Sequence, residues 1–397
     1  MGAYFHSYLN SAQTILASYK FEQPFHVFIK AFFKRNKKYG SRDRKIISSL
    51  SYAFFRIGDA AVDLPFNDQV AIGYFLTHDH DNGLLALLQP EWVSDLHTSS
   101  QAKCVSLKKV FPSFNEQYLF PGLQHLSASI NIEAIKYHHF HQPDFFLKIR
   151  PGKKSKIINA LTKNQLSFKE RTSNALLIHA GTDLQDFIEL DKDAVLQDIS
   201  SQATCNFFPS IKEGRISVWD ACAGSGGKSI MAVDHFSNID LYVSDIREEI
   251  LTELNRRFKE SAIVPKALFC TNLQNSLSKQ VVDSNLPKAG VDLIIADVPC
   301  TGSGTWARSP EWLRAFDLEM IAEYQNTQKS IVTNLPLHLK ANGYLLYITC
   351  SVFKQENEEV VEFLEKNCQM ELVKQAVVHE QGGDYLFAAL LTKKVEG

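Results

Sequence analysis

I-S-V-W-D-A-C-A-G-S-G-G-K-S, residues 216–229, joins a short apolar strand to a helix through a glycine-rich turn. The strand ends in Asp220, and the helix continues as I-M-A-V-D-H-F. Glycines at such a junction let a ligand approach the backbone closely, with the first helical amides aimed at it. Spacing disfavours two common ligands. A nucleotide-hydrolase loop needs G-x-x-x-x-G-K-[ST]; G-K-S stands at 227–229, but the position of the first glycine holds Cys222. The dinucleotide fingerprint G-x-G-x-x-G fails as well, because Gly224, Gly226 and Gly227 lack the later third glycine.

Working outward, the same texture recurs after residue 200. L-Y-V-S-D, V-D-L-I-I-A-D and Y-L-L-Y-I-T alternate with helical segments, the pattern of an α/β, doubly wound, Rossmann-like parallel sheet. Ligands of such sheets sit at the carboxyl ends of the strands, where Asp220, Asp245, Asp297 and Thr349 stand. Upstream, F-F-L-K-I-R, K-S-K-I-I-N-A-L-T-K-N and A-L-L-I-H read as strand, helix and strand of a small α+β module. Residues 5–125 carry a helical period and little glycine, with Pro24, Pro65, Pro90 and Pro112 at helix boundaries. The expected organisation is a helical domain at 1–125, an α+β module at 126–196 and the doubly wound domain at 197–397.

The 397 residues carry a net charge of −2, with 45% hydrophobic and 22% charged side chains, as in soluble globular proteins. No apolar run approaches the roughly 20 residues that cross a bilayer, and the first residues lack a secretory pattern. A cytoplasmic location and a monomer are expected. Seven cysteines without any C-x-x-C pair fit neither a disulfide framework nor a zinc site, so no metal is expected. The His78–Asp81 stretch H-D-H-D reads as a polar turn, and His138, His139 and His141 as a surface cluster. Charge is nevertheless uneven. Residues 30–45 hold eight Lys and Arg against Asp43 alone, and K-I-R-P-G-K-K-S-K at 148–156 has no acid. Each run alone reads as a solvated face, whereas two in a near-neutral chain point to an anionic polymer such as RNA.

Asp245 lies about 20 residues past the glycine turn, where a carboxylate accepts from both hydroxyls of a ribose; an aspartate there is also a common helix cap. A cofactor with a ribose but no pyrophosphate suits this combination, and S-adenosylmethionine is one. V-D-L-I-I-A-D runs into D-V-P-C-T-G-S-G-T-W-A-R-S-P-E-W, residues 297–312, and Y-L-L-Y-I-T runs into T-C-S with Cys350. Carbon 5 of a pyrimidine is a poor nucleophile. A thiolate adding to carbon 6 activates it, and a second group must assist elimination. Two cysteines in polar turns at strand ends suit that chemistry, and the chemistry alone does not say which one attacks.

These segments resemble the consecutive motifs of the Sun-type (RsmB-like) RNA cytosine-5 methyltransferases. The resemblance covers D-A-C-A-G-S-G-G-K-S, Asp245, the proline-cysteine motif and Y-I-T-C-S-V-F-K-Q-E-N-E-E-V-V, with Q-D-I-S-S-Q at 197–202 and D-Y-L-F-A-A-L-L near the C-terminus. Fainter likenesses in R-D-R-K-I-I-S-S-L-S-Y-A-F-F-R and F-L-K-I-R-P imply RNA-binding roles for the helical domain and the small module. The resemblance implies that Cys350 attacks, Cys300 assists release and Asp297 holds the base. It implies that Cys222, Ala223, Gly224, Ser225, Gly226, Gly227 and Lys228, with Asp245, Asp297 and Asn272, hold S-adenosylmethionine. Three departures stand out: Gly224-Ser225 replaces an alanine-proline, Asn272 or Thr271 stands where an aspartate is usual, and Thr301 replaces a serine. The implied activity is 5-methylcytosine formation in RNA, ribosomal small-subunit RNA first and tRNA second. A non-catalytic RNA-binding assembly factor on the same fold is the alternative.

Overall fold

Helix α2 (Phe25–Arg35) buries Phe25, Ile29 and Phe33, spaced i, i+4, i+8 along one face. Pro24 precedes it and Pro65 precedes α4 (Phe66–Thr77), placing fixed-φ residues where amides need no helical partner. Between them runs α3 (Ser41–Arg56), and α1 (Gly2–Ser18) opens the chain. Eight consecutive residues of α4, Gln69 to Leu76, are buried, all round the helix, as in one central to a bundle. The computed structural model describes residues 2–179, 184–211, 214–236, 238–275 and 278–394. They form two compact units: 1–124, 130–142 and 305–318; and 125–129, 143–304 and 319–397.

Residues 305–318 follow the proline-cysteine turn in sequence, yet they belong to the helical unit. Trp306 is buried against Phe120, with ring centroids 4.9 Å apart. The Glu311 carboxylate accepts the Phe25 N–H at 2.9 Å, satisfying an orphan donor at the positive end of α2. Arg56 donates to the carbonyls of His139 and Ala307, and the Arg314 guanidinium lies 4.1 Å over the Phe54 ring. The W-A-R-S-P-E-W half of the motif thus completes the helical core.

In the second unit, β1 (Phe145–Ile149), β2 (Phe168–Thr172), β3 (Ala175–Ile178) and β4 (Ala194–Leu196) form an antiparallel sheet in the order β2-β3-β1-β4. The helix Lys154–Lys163 buries Ile157 and Leu161 against Leu147, Ile149, Leu176 and Ile178. The larger sheet holds β5 (Ile216–Asp220), β6 (Ile239–Asp245), β7 (Ala267–Cys270), β8 (Val291–Asp297), β9 (Leu339–Thr349), β10 (Met370–His379) and β11 (Tyr385–Lys393). Its order is β10-β11-β9-β8-β5-β6-β7. Strands β5 to β9 are parallel as expected, but β11 runs antiparallel to β9 and β10 antiparallel to β11. The sheet is therefore mixed at one edge. Side chains alternate across it: Trp219, Ile294, Leu345 and Tyr347 pack on one face, and Val218, Leu293, Ile295 and Ile348 on the other. Among the described residues no helix is long and apolar enough to cross a membrane.

Candidate active site

The chain order reverses beside β5, between β8 and β6, which opens a crevice at the carboxyl ends of these strands. A cavity of about 610 Å³ lies there. Its walls include Cys222, Ala223, Gly224, Ser225, Gly227 and Lys228 from the glycine turn, Asp245 from β6, Thr271 and Asn272 after β7, and Asp297 after β8. Gly226 is absent from the lining and has a structural task. Its φ of +84° is left-handed, and a Cβ there would stand 2.2 Å from Leu254 Cδ1. Gly226→Ala is expected to destabilise the protein by about 2 kcal/mol through overpacking and backbone strain, read as a lowered midpoint of urea unfolding. Gly224, at the first of the departures, is also left-handed, with φ +51°.

The four strand-end residues have different roles. Asp220 is fully buried and accepts from Ser229 Oγ at 2.6 Å, tying the strand to the helix after the turn; burial pushes its carboxyl up to about 7. Asp245 accepts the Gly224 N–H at 2.9 Å, the Arg247 N–H at 3.0 Å and the Arg247 guanidinium at 3.0 and 3.2 Å. Burial pulls against ionisation there, but these donors hold the carboxyl below its usual range. Asp297 pairs with Lys228 Nζ at 3.1 Å, and Lys228 also donates to Ser201 Oγ at 2.9 Å. Thr349 turns inward to Asn357.

Burial raises the Cys222 thiol far above its usual value, so it remains neutral. Two buried polar atoms in residues of the cavity wall, Gln197 Oε1 and Thr271 Oγ1, have no partner within the protein. A ligand with several donors would satisfy them. Arg247 and Gln197 were not picked out as site residues from sequence, although S-D-I-R and Q-D-I-S-S-Q contain them.

Asp297 pairs with Ile348 across β8 and β9, so the turns after these neighbouring strands meet. Cys300 Sγ and Cys350 Sγ are 3.2 Å apart. Their shared hydrogen bond, together with burial, raises the Cys300 thiol well above its usual value and keeps it protonated. The Gly304 N–H donates to the Cys350 carbonyl at 2.8 Å. A Cβ at Gly304 would lie 1.9 Å from the Tyr385 carbonyl oxygen, which restricts the position to glycine.

One carboxylate joins the two cysteine turns. Glu356, fully buried, accepts from Thr301 N–H at 2.9 Å, Thr301 Oγ1 at 2.6 Å, Gln328 Nε2 at 3.0 Å and Ser351 Oγ. Burial raises its carboxyl, against the hydrogen bonds from Ser351 and Thr301. Thr301, the third departure, thus retains a hydroxyl the network uses. Glu356→Ala leaves these buried donors without their acceptor and is expected to cost about 3 kcal/mol, measured as a shift in urea unfolding. Glu356 stands in the quoted Q-E-N-E-E-V-V, but only the tertiary contacts reveal its partners.

Of the histidines, His78 caps the end of α4, stacks on Tyr74 at 3.8 Å and is half-buried. His139 is fully buried and approaches the Arg56 carbonyl at 2.7 Å through Nε2, so it is core rather than surface. Among the described residues no group of three or more His, Cys, Asp or Glu could hold a metal ion.

Residues 210–392 match the family described as 16S rRNA methyltransferase RsmB/F. Ribosomal RNA small subunit methyltransferase B of Pectobacterium carotovorum subsp. carotovorum is 31% identical over 217 residues, covering 50% of this chain and 47% of that protein. Its counterpart from Serratia proteamaculans is 30% identical over 229 residues, covering 54% and 50%. The matched stretch spans about half the length of these curated relatives. Among solved structures, a methyltransferase homologue protein from Pyrococcus horikoshii superposes with a TM-score of 0.56 at 19% identity, covering 73% of this chain and 98% of its own. NSun6 from the same organism, solved with SFG, gives 0.57 at 14%, covering 68% and 96%. Both are likenesses of fold.

Proposed function

We propose that this protein, whose residues 210–392 match the RsmB/F 16S rRNA methyltransferase family, forms 5-methylcytosine in RNA, with small-subunit ribosomal RNA as substrate, through a covalent adduct on Cys350. The observation that carries this reading is the 3.2 Å approach of Cys300 and Cys350 beside a strand-end carboxylate. S-adenosylmethionine, when bound, supplies an electrophilic methyl group. The cavity residues fit it: Asp245 offers an ionised carboxylate for ribose hydroxyls, and Gln197 and Thr271 offer unsatisfied polar atoms.

The chain's own groups divide the remaining work. Cys350, as thiolate, donates an electron pair to carbon 6 of a cytosine extruded from its stack, and the ring's electrons shift towards carbon 5. Asp297, 3.1 Å from Lys228 Nζ, holds the ring's polar edge. After methyl transfer a base takes the carbon 5 proton, the carbon–sulfur bond breaks, and its electron pair returns to Cys350. The protonated Cys300 thiol donates a hydrogen bond to the departing sulfur and favours release.

Bisulfite sequencing of total RNA from cells with and without the protein tests the reading. One ribosomal cytosine is expected to lose protection when the protein is absent. A protected cytosine in tRNA instead would reassign the substrate, and no change would favour a non-catalytic assembly role. Asp245→Ala removes a charged acceptor worth about 1.5–3 kcal/mol. It is expected to weaken S-adenosylmethionine binding roughly 10- to 150-fold by calorimetry, at about 1.4 kcal/mol per decade.

A further inference from the structure

The helical unit contains its own cavity, of about 590 Å³, which shares no residue with the one above. Helix α2 contributes Ile29, Lys30 and Phe33, and α3 contributes Arg44, Lys45, Ser48, Ser49 and Tyr52. Each set lies along one helical face. The interior is apolar and partly aromatic: Phe33, Ala53 and Phe140 are buried beneath it. At the rim Lys30 and Lys45 are exposed and Arg44 half-buried.

These three cations have no carboxylate partner among the described residues. The one acid in the basic run, Asp43, already accepts from Tyr8 Oη at 2.7 Å and from the Gly40 N–H at 2.9 Å. Arg44 donates through Nε to the Tyr39 carbonyl at 2.9 Å, with its guanidinium 5.9 Å from the Phe33 ring centroid. Ser49 Oγ lies 3.2 Å from His78 Nε2, and burial lowers that imidazole's pKa to about 4, so it adds no charge near neutrality. A solvated basic face needs no concavity. Here unpaired cations surround an aromatic recess large enough for a ring, with hydroxyls along its wall.

A planar base and a phosphate joined by a hydroxylated sugar match that arrangement: stacking favours any base, and the cations favour the backbone. We propose that this recess binds one unpaired nucleotide of an RNA strand, its base within the apolar interior and its phosphate between Lys30 and Lys45. It rests on the RNA reading above only for the kind of polymer. An acidic peptide is the competing occupant, and its lack of a flat ring makes the recess a poorer fit.

The test uses the full chain and a fluorescein-labelled 12-nucleotide single-stranded RNA, with anisotropy measured across a range of KCl concentrations. Lys30→Gln with Lys45→Gln is expected to lower affinity about tenfold and to reduce the slope of log K against log[salt] by about 0.7, the loss of one phosphate contact. Ser48→Trp, which fills the recess without changing charge, is expected to lower affinity by a similar factor. Binding of S-adenosylhomocysteine, followed by calorimetry, should be unchanged in both variants and reports that the second unit is intact. Unaltered RNA binding in Ser48→Trp, equal competition by poly-glutamate, or absence of RNA binding by the parent protein would each overturn the proposal. Loss of 5-methylcytosine formation with pocket-dependent binding intact would reject the catalytic reading alone.

Discussion

On the proposed mechanism, Cys350→Ala is expected to give no detectable covalent protein–RNA adduct and a turnover lowered by more than about 10³-fold, because its sulfur is the group that would activate carbon 5 of the ring. The measurement is methyl transfer from labelled S-adenosylmethionine to RNA, with adducts read as a retarded band on a denaturing gel. The side chain is half-buried in a turn at the end of β9, and removing one sulfur there leaves the Gly304–Cys350 backbone hydrogen bond in place. Folding and cofactor binding should therefore persist. Retained turnover in this variant would sink the assignment of the nucleophile.

Cys300→Ala has the opposite signature. Cys350 remains able to attack, so methyl transfer proceeds through about one turnover and the adduct accumulates. Steady-state turnover falls roughly 10²- to 10⁴-fold, the range lost with a positioned proton donor or acceptor. The hydrogen bond at 3.2 Å between the sulfurs is the physical reason: the departing thiolate loses its nearest donor. A gel showing adduct in Cys300→Ala and none in the double variant with Cys350→Ala would separate the two roles. If Cys300→Ala turned over normally with no adduct, release would depend on another group.

Much of this site was legible before folding. Strands β5, β6, β8 and β9 are apolar because both faces of a parallel sheet are covered, so their ends, and the residues that follow them, could be placed from sequence. The antiparallel edge was harder. Strand β10, M-E-L-V-K-Q-A-V-V-H, exposes most of its residues and lacks the continuous apolar signature. Strands β2 and β4 are short, and β2 is largely exposed. His139 sits between two other histidines in a polar stretch, and nothing local distinguishes its buried ring from its neighbours.

By itself the sequence determined the fold class, the glycine turn, the carboxylates of the cavity and the two cysteines, since each follows from local composition and spacing. It also carried the T-C-S motif, whose family likeness implies Cys350 as the attacking group. Tertiary structure alone decided that residues 305–318 complete the helical unit, that Lys228 pairs with Asp297, and that Glu356 ties the two cysteine turns together. These depend on which strands become neighbours and which buried donors find an acceptor. Strands β8 and β9 are joined through two α-helices, Glu311–Ala315 and Glu319–Asn334, and about forty residues of chain, so the 3.2 Å between Cys300 and Cys350 comes from their pairing in the sheet, a long-range contact that spacing along the chain does not encode.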